Sequence, residues 1–339
     1  MQGIRRAAAV LEVLGIYAAG QMLAFLLGAI FRIPLLNPLL TLSPAPTPYE
    51  LLQVTGQLLK ILLLQYSGWF LLVLPIGWWR RRGGAASYGL TLSGRSLGFC
   101  LAAGVVLFAV ADLPIKALEF IHSLYPLGPQ VAWREALMRT NWNTVEFWLL
   151  MAVGSYALVP LVEELFFRGY CQTRLEEAWG PATAILATAL LFTFSHSQYF
   201  MANLYNVSLL LTSLASATAW GYVYYRTRSL LPTIVAHSLV NMPSRNAVLG
   251  VLLVVMLIIC AIAKRDILQH LRGLVDLMRG RSLGWQGSLV AVLCGLFVMA
   301  FAVLGDIVIV LGTVMFVVAL ALDWFEKRAS AASKTAQAT

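Results

Sequence analysis

Long apolar runs, separated by short polar connections, cover almost the whole chain. A helix needs about 20 apolar residues to cross a hydrocarbon core of about 30 Å, and ten runs approach that length. The runs are approximately 7–31, 54–79, 96–113, 145–170, 181–199, 204–225, 229–245, 247–263, 285–304 and 306–324. The pattern predicts an all-α fold, a polytopic transmembrane helix bundle with about ten spans.

The first run, and the junction of the seventh and eighth runs, each allow more than one interpretation. The run 7–31 follows Arg5 and Arg6, and because it exceeds the roughly 7–15 residues of a signal-peptide core, we expect it to remain as a helix. The short seventh and eighth runs meet at Met242-Pro243-Ser244-Arg245. Proline breaks or kinks a helix, so these runs are either two spans or one bent span.

Composition and charge agree with a membrane protein. Only 12% of the 339 residues are charged, against about 25% in soluble proteins, and the mean hydropathy is +0.80. The basic residues behind the net charge of +9 lie at the ends of apolar runs. This position favours the lipid bilayer as partner and excludes nucleic acid. The four cysteines show no CxxC spacing and are predicted to be buried thiols. They are Cys100, Cys171, Cys260 and Cys294.

Basic residues between the runs predict the orientation. With ten spans, they fall on one side together with Arg5 and Arg6, whereas an odd count would divide them. They include Arg80, Arg81, Arg82, Arg95, Arg168, Arg174, Arg226, Arg228, Lys264, Arg265, Arg272, Arg279, Arg281, Lys327 and Arg328. The positive-inside rule then predicts an inner- or plasma-membrane protein with both termini in the cytoplasm.

Ionisable side chains inside the apolar runs are the candidates for chemistry. Each costs about 2.5–3.5 kcal/mol on insertion scales. The fourth run contains Glu163, Glu164 and Arg168, and the fifth and seventh contain His196 and His237. Residues four apart share a helix face, so Glu164 is expected to pair with Arg168 while Glu163 points elsewhere.

Three motifs carry these side chains in order. They are Glu163-Glu164 with Arg168, Phe192 with His196, and His237 with Asn241. The chain thereby resembles the CPBP family, which contains Rce1-type CAAX prenyl endopeptidases and the Abi bacteriocin-processing and self-immunity proteins, with the pattern EExxxR, FxxxH and HxxxN. The resemblance covers about 145–263.

The resemblance implies a role for each residue. Glu163 would activate a water with help from His196, and Arg168 would hold Glu164. His237 and Asn241 would stabilise the oxyanion. The cofactor stays open, because Glu163, His196 and His237 could bind a divalent metal such as zinc or act without one.

The resulting function is an intramembrane endopeptidase acting on a membrane-associated or hydrophobic peptide. The domain division has an N-terminal helix and outer loop at 1–45, a protease-like helical core at 46–263 and a basic loop, two extra helices and a disordered tail at 264–339. Two other functions fit the residues: a non-catalytic immunity or scaffold protein on the same fold, and a proton-coupled transporter. A transporter usually shows inverted repeats, and the sequence shows none.

Overall fold

The structure is a computed structural model that describes residues 2–34, 38–43, 46–81, 88–132, 144–241, 246–280 and 283–338. These residues form twelve α-helices joined by turns and two short 3₁₀ segments. The helices are α1 Gln2–Ile30, α2 Pro48–Arg81, α3 Leu97–Ala111, α4 Leu113–Leu124, α5 Val145–Trp179, α6 Pro181–Phe194, α7 Leu204–Thr227, α8 Leu231–Val240, α9 Asn246–Ile262, α10 Lys264–Arg279, α11 Trp285–Leu304 and α12 Asp306–Ala338. The predicted all-α fold is confirmed.

Each of the ten apolar runs forms a helix. Within the described ranges, three helices are long and apolar enough to cross a membrane: Gln2–Ile30, Pro48–Ile76 and Val145–Trp179. A fourth span results if α3 and α4, which meet at an angle of 47°, are taken as one broken span. The count of ten spans and the cytoplasmic termini therefore stay predictions.

Two segments after α9 differ from the expectation. The predicted basic loop is helix α10, and α12 continues through the residues after Phe325, where a disordered tail was expected. The tail is rich in alanine and lysine, which are strong helix formers. The proline break at 242–245 lies outside the described residues, while α8 and α9 on either side are separate helices.

The C-terminal helix α12 packs closely on the N-terminal helix α1. A Cβ on Gly15 would lie 2.5 Å from the backbone of Phe316, and one on Gly312 would lie 2.3 Å from the Cβ of Ala18. Small residues allow such close helix contact in membranes. The helices at the two ends of the chain therefore form one side of the same bundle.

Helix α1 is also tied to α5 by a buried polar cluster. Glu12 is fully buried, and it accepts hydrogen bonds from Arg174 Nε at 2.8 Å and from the hydroxyl of Tyr170. The sequence suggests an interfacial position for Glu12 near the end of its span. It is buried instead because α5 supplies both a cation and a donor.

Helix α5 contains two π-helical stretches, Met151–Leu158 and Leu165–Gln172, on either side of Pro160 and the Glu163-Glu164 pair. Proline has no N–H, so Pro160 cannot donate to the carbonyls of Ser155 or Tyr156. Two side chains, one on α8 and one directly after it, donate to these carbonyls: Ser238 Oγ to Tyr156 O at 2.7 Å, and Asn241 Nδ2 to Ser155 O at 2.9 Å. The break in α5 therefore fixes α8 beside it.

Candidate active site

The first motif forms the expected ion pair. Arg168 Nη1 lies 2.9 Å from Glu164 Oε1, and both side chains are almost completely buried. Arg168 also donates to Ala217 O at 3.3 Å. Its guanidinium carbon lies 4.6 Å from the ring centroid of Phe192 and 5.3 Å from that of Trp220. A buried cation with these neighbours fixes the position of Glu164.

His237 of α8 lies between the two carboxylates of α5. Its Nδ1 is 3.0 Å from Glu164 Oε1, and its Nε2 is 3.7 Å from Glu163 Oε2. An ionised carboxylate can only accept a hydrogen bond, so the proton of the shorter contact is assigned to Nδ1. The longer separation exceeds a direct hydrogen bond, and such a gap suits a bridging water.

Glu163 has its hydrogen-bond partner on a distant helix. The hydroxyl of Tyr66, on α2, donates to Glu163 Oε1 at 2.6 Å, and both side chains are buried. Among the described residues, no group makes a hydrogen bond to Glu163 Oε2. One carboxylate oxygen is therefore held, and the other faces His237.

His196 lies just beyond the end of α6. The run 181–199 predicts a helix through this position, but α6 ends at Phe194. Both Ser195 Oγ, at 2.7 Å, and His196 Nδ1, at 2.8 Å, contact the carbonyl of Phe192 and cap the helix end. Because a carbonyl only accepts, Nδ1 carries the proton and a neutral His196 has its lone pair on Nε2.

Aromatic rings enclose the polar groups. The Phe192 ring packs beside His196, with centroids 4.8 Å apart, as the FxxxH spacing predicts. It also meets the edge of His237 at 5.7 Å, and the ring of Trp220 lies 5.0 Å from His237. These rings keep water from most sides of His237, which strengthens the electrostatic interactions inside the site.

A metal centre would need Glu163, His196 and His237 to place their donor atoms around one point. Across the described ranges, no group of three His, Cys, Asp or Glu side chains is placed to hold a metal ion. Glu163, His196 and His237 therefore do not fit a metal centre as they lie here. Each makes a hydrogen bond with protein groups instead.

The part of the chain that contains the three motifs also matches a known family. A family model described as type II CAAX prenyl endopeptidase Rce1-like matches residues 145–243. This segment of the chain is similar to the Rce1-like family. The resemblance read from the three motifs is thereby confirmed for the Rce1 type. No curated protein and no solved structure gives a match.

The match and the apolar helices support a membrane protein with similarity to a CAAX-type intramembrane protease family. The matched segment covers α5 to α8 and contains Glu163, Glu164, His196 and His237. Tyr66 lies outside it, on α2. No sequence pattern marks Tyr66, since a tyrosine in an apolar run has nothing local to distinguish it from a packing residue.

Proposed function

We propose that this chain is an intramembrane endopeptidase in which Glu163 activates a water for attack on a peptide bond. The observation that carries the proposal is the position of His237 between two carboxylates, with Glu163 Oε2 facing it across 3.7 Å. The Glu163 carboxylate on one side of this gap serves as the base, and His237 on the other side serves as the hydrogen-bond donor. These are the two groups that hydrolysis of an amide requires.

In the proposed reaction, Glu163 Oε2 takes a proton from the water as its oxygen attacks the carbonyl carbon. His196 Nε2 accepts a hydrogen bond from the second water hydrogen and orients the attack. When the tetrahedral intermediate collapses, the carbon–nitrogen bond breaks and Glu163 returns the proton to the leaving amine. One water is consumed, and a new carboxyl and a new amine are formed.

The negative charge on the former carbonyl oxygen needs donors. We assign them to His237 Nε2 in its protonated form and to the second hydrogen of Asn241 Nδ2, because the first is used on Ser155 O. Glu164 accepts from His237 Nδ1 and so stabilises the imidazolium. Oxyanion donors of this kind are worth about 3–4 kcal/mol each in other hydrolases.

The substrate in this proposal is a membrane-associated or hydrophobic peptide cut near its C-terminus or leader. The test uses the full chain in nanodiscs with prenylated CAAX peptides and unprenylated leader peptides, and products are identified by mass spectrometry. Cleavage in H₂¹⁸O should place one ¹⁸O in the new carboxyl group. Binding without cleavage would support an immunity or scaffold protein, and proton flux coupled to substrate would support a transporter.

The proposal predicts that chelators leave cleavage unchanged, because the carboxylate and imidazoles act without a metal ion. Initial rates should be equal before and after exhaustive treatment with EDTA and 1,10-phenanthroline. The control is the isomer 1,7-phenanthroline, which does not chelate metal ions. A loss of activity that added zinc restores would contradict this assignment.

Tyr66→Phe tests the hydrogen bond to Glu163. Removal of the donor leaves Glu163 Oε1 without this hydrogen bond, so the carboxylate is held less firmly in the position that the proposed water activation needs. We expect kcat to fall about tenfold, in line with the roughly 1.5–3 kcal/mol of a hydrogen bond to a charged group, partly offset by repacking. KM should change little.

Tyr88→Phe is the matched control. Tyr88 is also buried, and its hydroxyl donates to the carbonyls of Val73 and Leu74 on the same helix as Tyr66. This variant loses a buried tyrosine hydroxyl that donates to backbone carbonyls. Its kcat should match that of the unmodified chain. An equal kcat for both variants would show that Tyr66 acts only in packing.

A further inference from the structure

Helix α10, Lys264–Arg279, is amphipathic and has no buried residue. Leu268, Leu271 and Val275 are 43%, 44% and 42% exposed. Their spacing of three and four residues places them on one helix face. This apolar stripe is therefore exposed along the helix.

A row of arginines borders the apolar stripe. Arg265, Arg272 and Arg279 are seven residues apart, about two helical turns, and so lie along one line. Arg272 follows Leu268 by four positions, and Arg279 follows Val275 by four, which places each beside the stripe. The helix also contains Lys264, Asp266 and Asp276, so its four basic and two acidic side chains give a net charge of +2.

The opposite side of α10 contacts the protein. A Cβ on Gly273 would lie 2.3 Å from the hydroxyl oxygen of Tyr222 on α7, so a side chain at this position would have to displace the tyrosine. The His270 ring meets the edge of Tyr222 with centroids 6.4 Å apart. Gly273 and Leu271 point about 160° apart around the helix. One side of α10 is thus docked while the apolar stripe faces outward.

The neighbours of α10 in the chain place it at a membrane boundary. It directly follows the apolar helix α9, whose last residue, Ile262, is 81% exposed, and it precedes α11, whose first residue, Trp285, is 75% exposed. Tryptophan at the start of an apolar helix is typical of the membrane–water interface. Both ends of α10 therefore lie next to the ends of two apolar helices that the sequence predicts to enter the membrane.

We propose that α10 is a docking surface for anionic phospholipid, with Leu268, Leu271 and Val275 in the acyl boundary and the arginine row on the headgroup phosphates. Basic amphipathic helices bind anionic membrane surfaces in this way. The charge complementarity favours this occupant over a neutral lipid surface. The proposal does not depend on peptidase activity.

The test compares the full chain in nanodiscs of phosphatidylcholine alone and of phosphatidylcholine with phosphatidylglycerol. Hydrogen exchange of the peptide covering 264–279 is followed by mass spectrometry. Phosphatidylglycerol should slow exchange in α10, by about fivefold for each arginine engaged at low salt. High salt should reduce the difference.

Two variants test whether the charge of α10 produces the lipid effect without a change in the stability of the fold. Arg265→Gln/Arg272→Gln/Arg279→Gln should lose the phosphatidylglycerol effect, and Asp266→Asn/Asp276→Asn should increase it. Because no α10 residue is buried, both should keep the melting temperature of the unmodified chain. Equal exchange in the two lipids, or a full lipid effect in the arginine variant, would overturn the proposal, and the second result would show that the arginines do not bind the headgroups.

Discussion

Glu163→Gln should lower the rate of peptide cleavage by about 10²–10⁴-fold, the usual contribution of a general base. Glutamine has the same shape and can still accept the hydrogen bond that Tyr66 donates to Oε1. It lacks the basicity that the proposed water activation needs. The measurement is the initial rate of product formation by the full chain in nanodiscs, with the melting temperature recorded for the same preparation.

Glu12→Gln is the control for loss of a buried carboxylate. Glu12 is as deeply buried as Glu164 but pairs with Arg174, away from His237. We expect this variant to melt at a lower temperature because Arg174 loses its partner, and to keep the cleavage rate at permissive temperature. Full activity in a folded Glu163→Gln protein would show that another group activates the water.

Arg168→Met should destabilise the protein by about 3–5 kcal/mol, the cost of leaving a buried charge without its partner. Glu164 is fully buried, and Arg168 is its cation in the motif. The contacts of the guanidinium with Phe192 and Trp220 are lost as well. The free energy of unfolding in mixed micelles, titrated with SDS, measures the effect.

The double variant Glu164→Gln/Arg168→Met distinguishes charge from packing. A buried ion pair replaced as a whole often costs little, so the double variant should recover part of the stability lost in Arg168→Met. Recovery will be incomplete because His237 also loses the carboxylate that its Nδ1 contacts. If the double variant were less stable than Arg168→Met alone, the pair would not govern stability.

Local spacing explains how much of the site could be predicted. The Glu164–Arg168 pair and the contact of Phe192 with His196 depend on residues four apart, and both are present. The helices predicted from the ten apolar runs are also present, because an apolar run is likewise a local feature of the sequence. The exact ends of helices were less predictable, as α6 shows, because side-chain caps at Ser195 and His196 end it early.

Contacts between helices could not be derived from the sequence. Tyr66 reaches Glu163 across 97 positions in the chain, and no local pattern marks it. His237 contacts both carboxylates only because α8 is held against the break at Pro160. The burial of Glu12 likewise depends on Tyr170 and Arg174 of another helix. These features arise from packing, which spacing alone does not encode.

The proline break in α5 also restricts how a peptide can enter. Separation of α8 from α5 would leave the carbonyls of Ser155 and Tyr156 without Asn241 and Ser238, and unpaired carbonyls in hydrocarbon are costly. For the proposed peptidase, we therefore expect this seam to stay closed and lateral access to the carboxylates to open between other helices of the bundle.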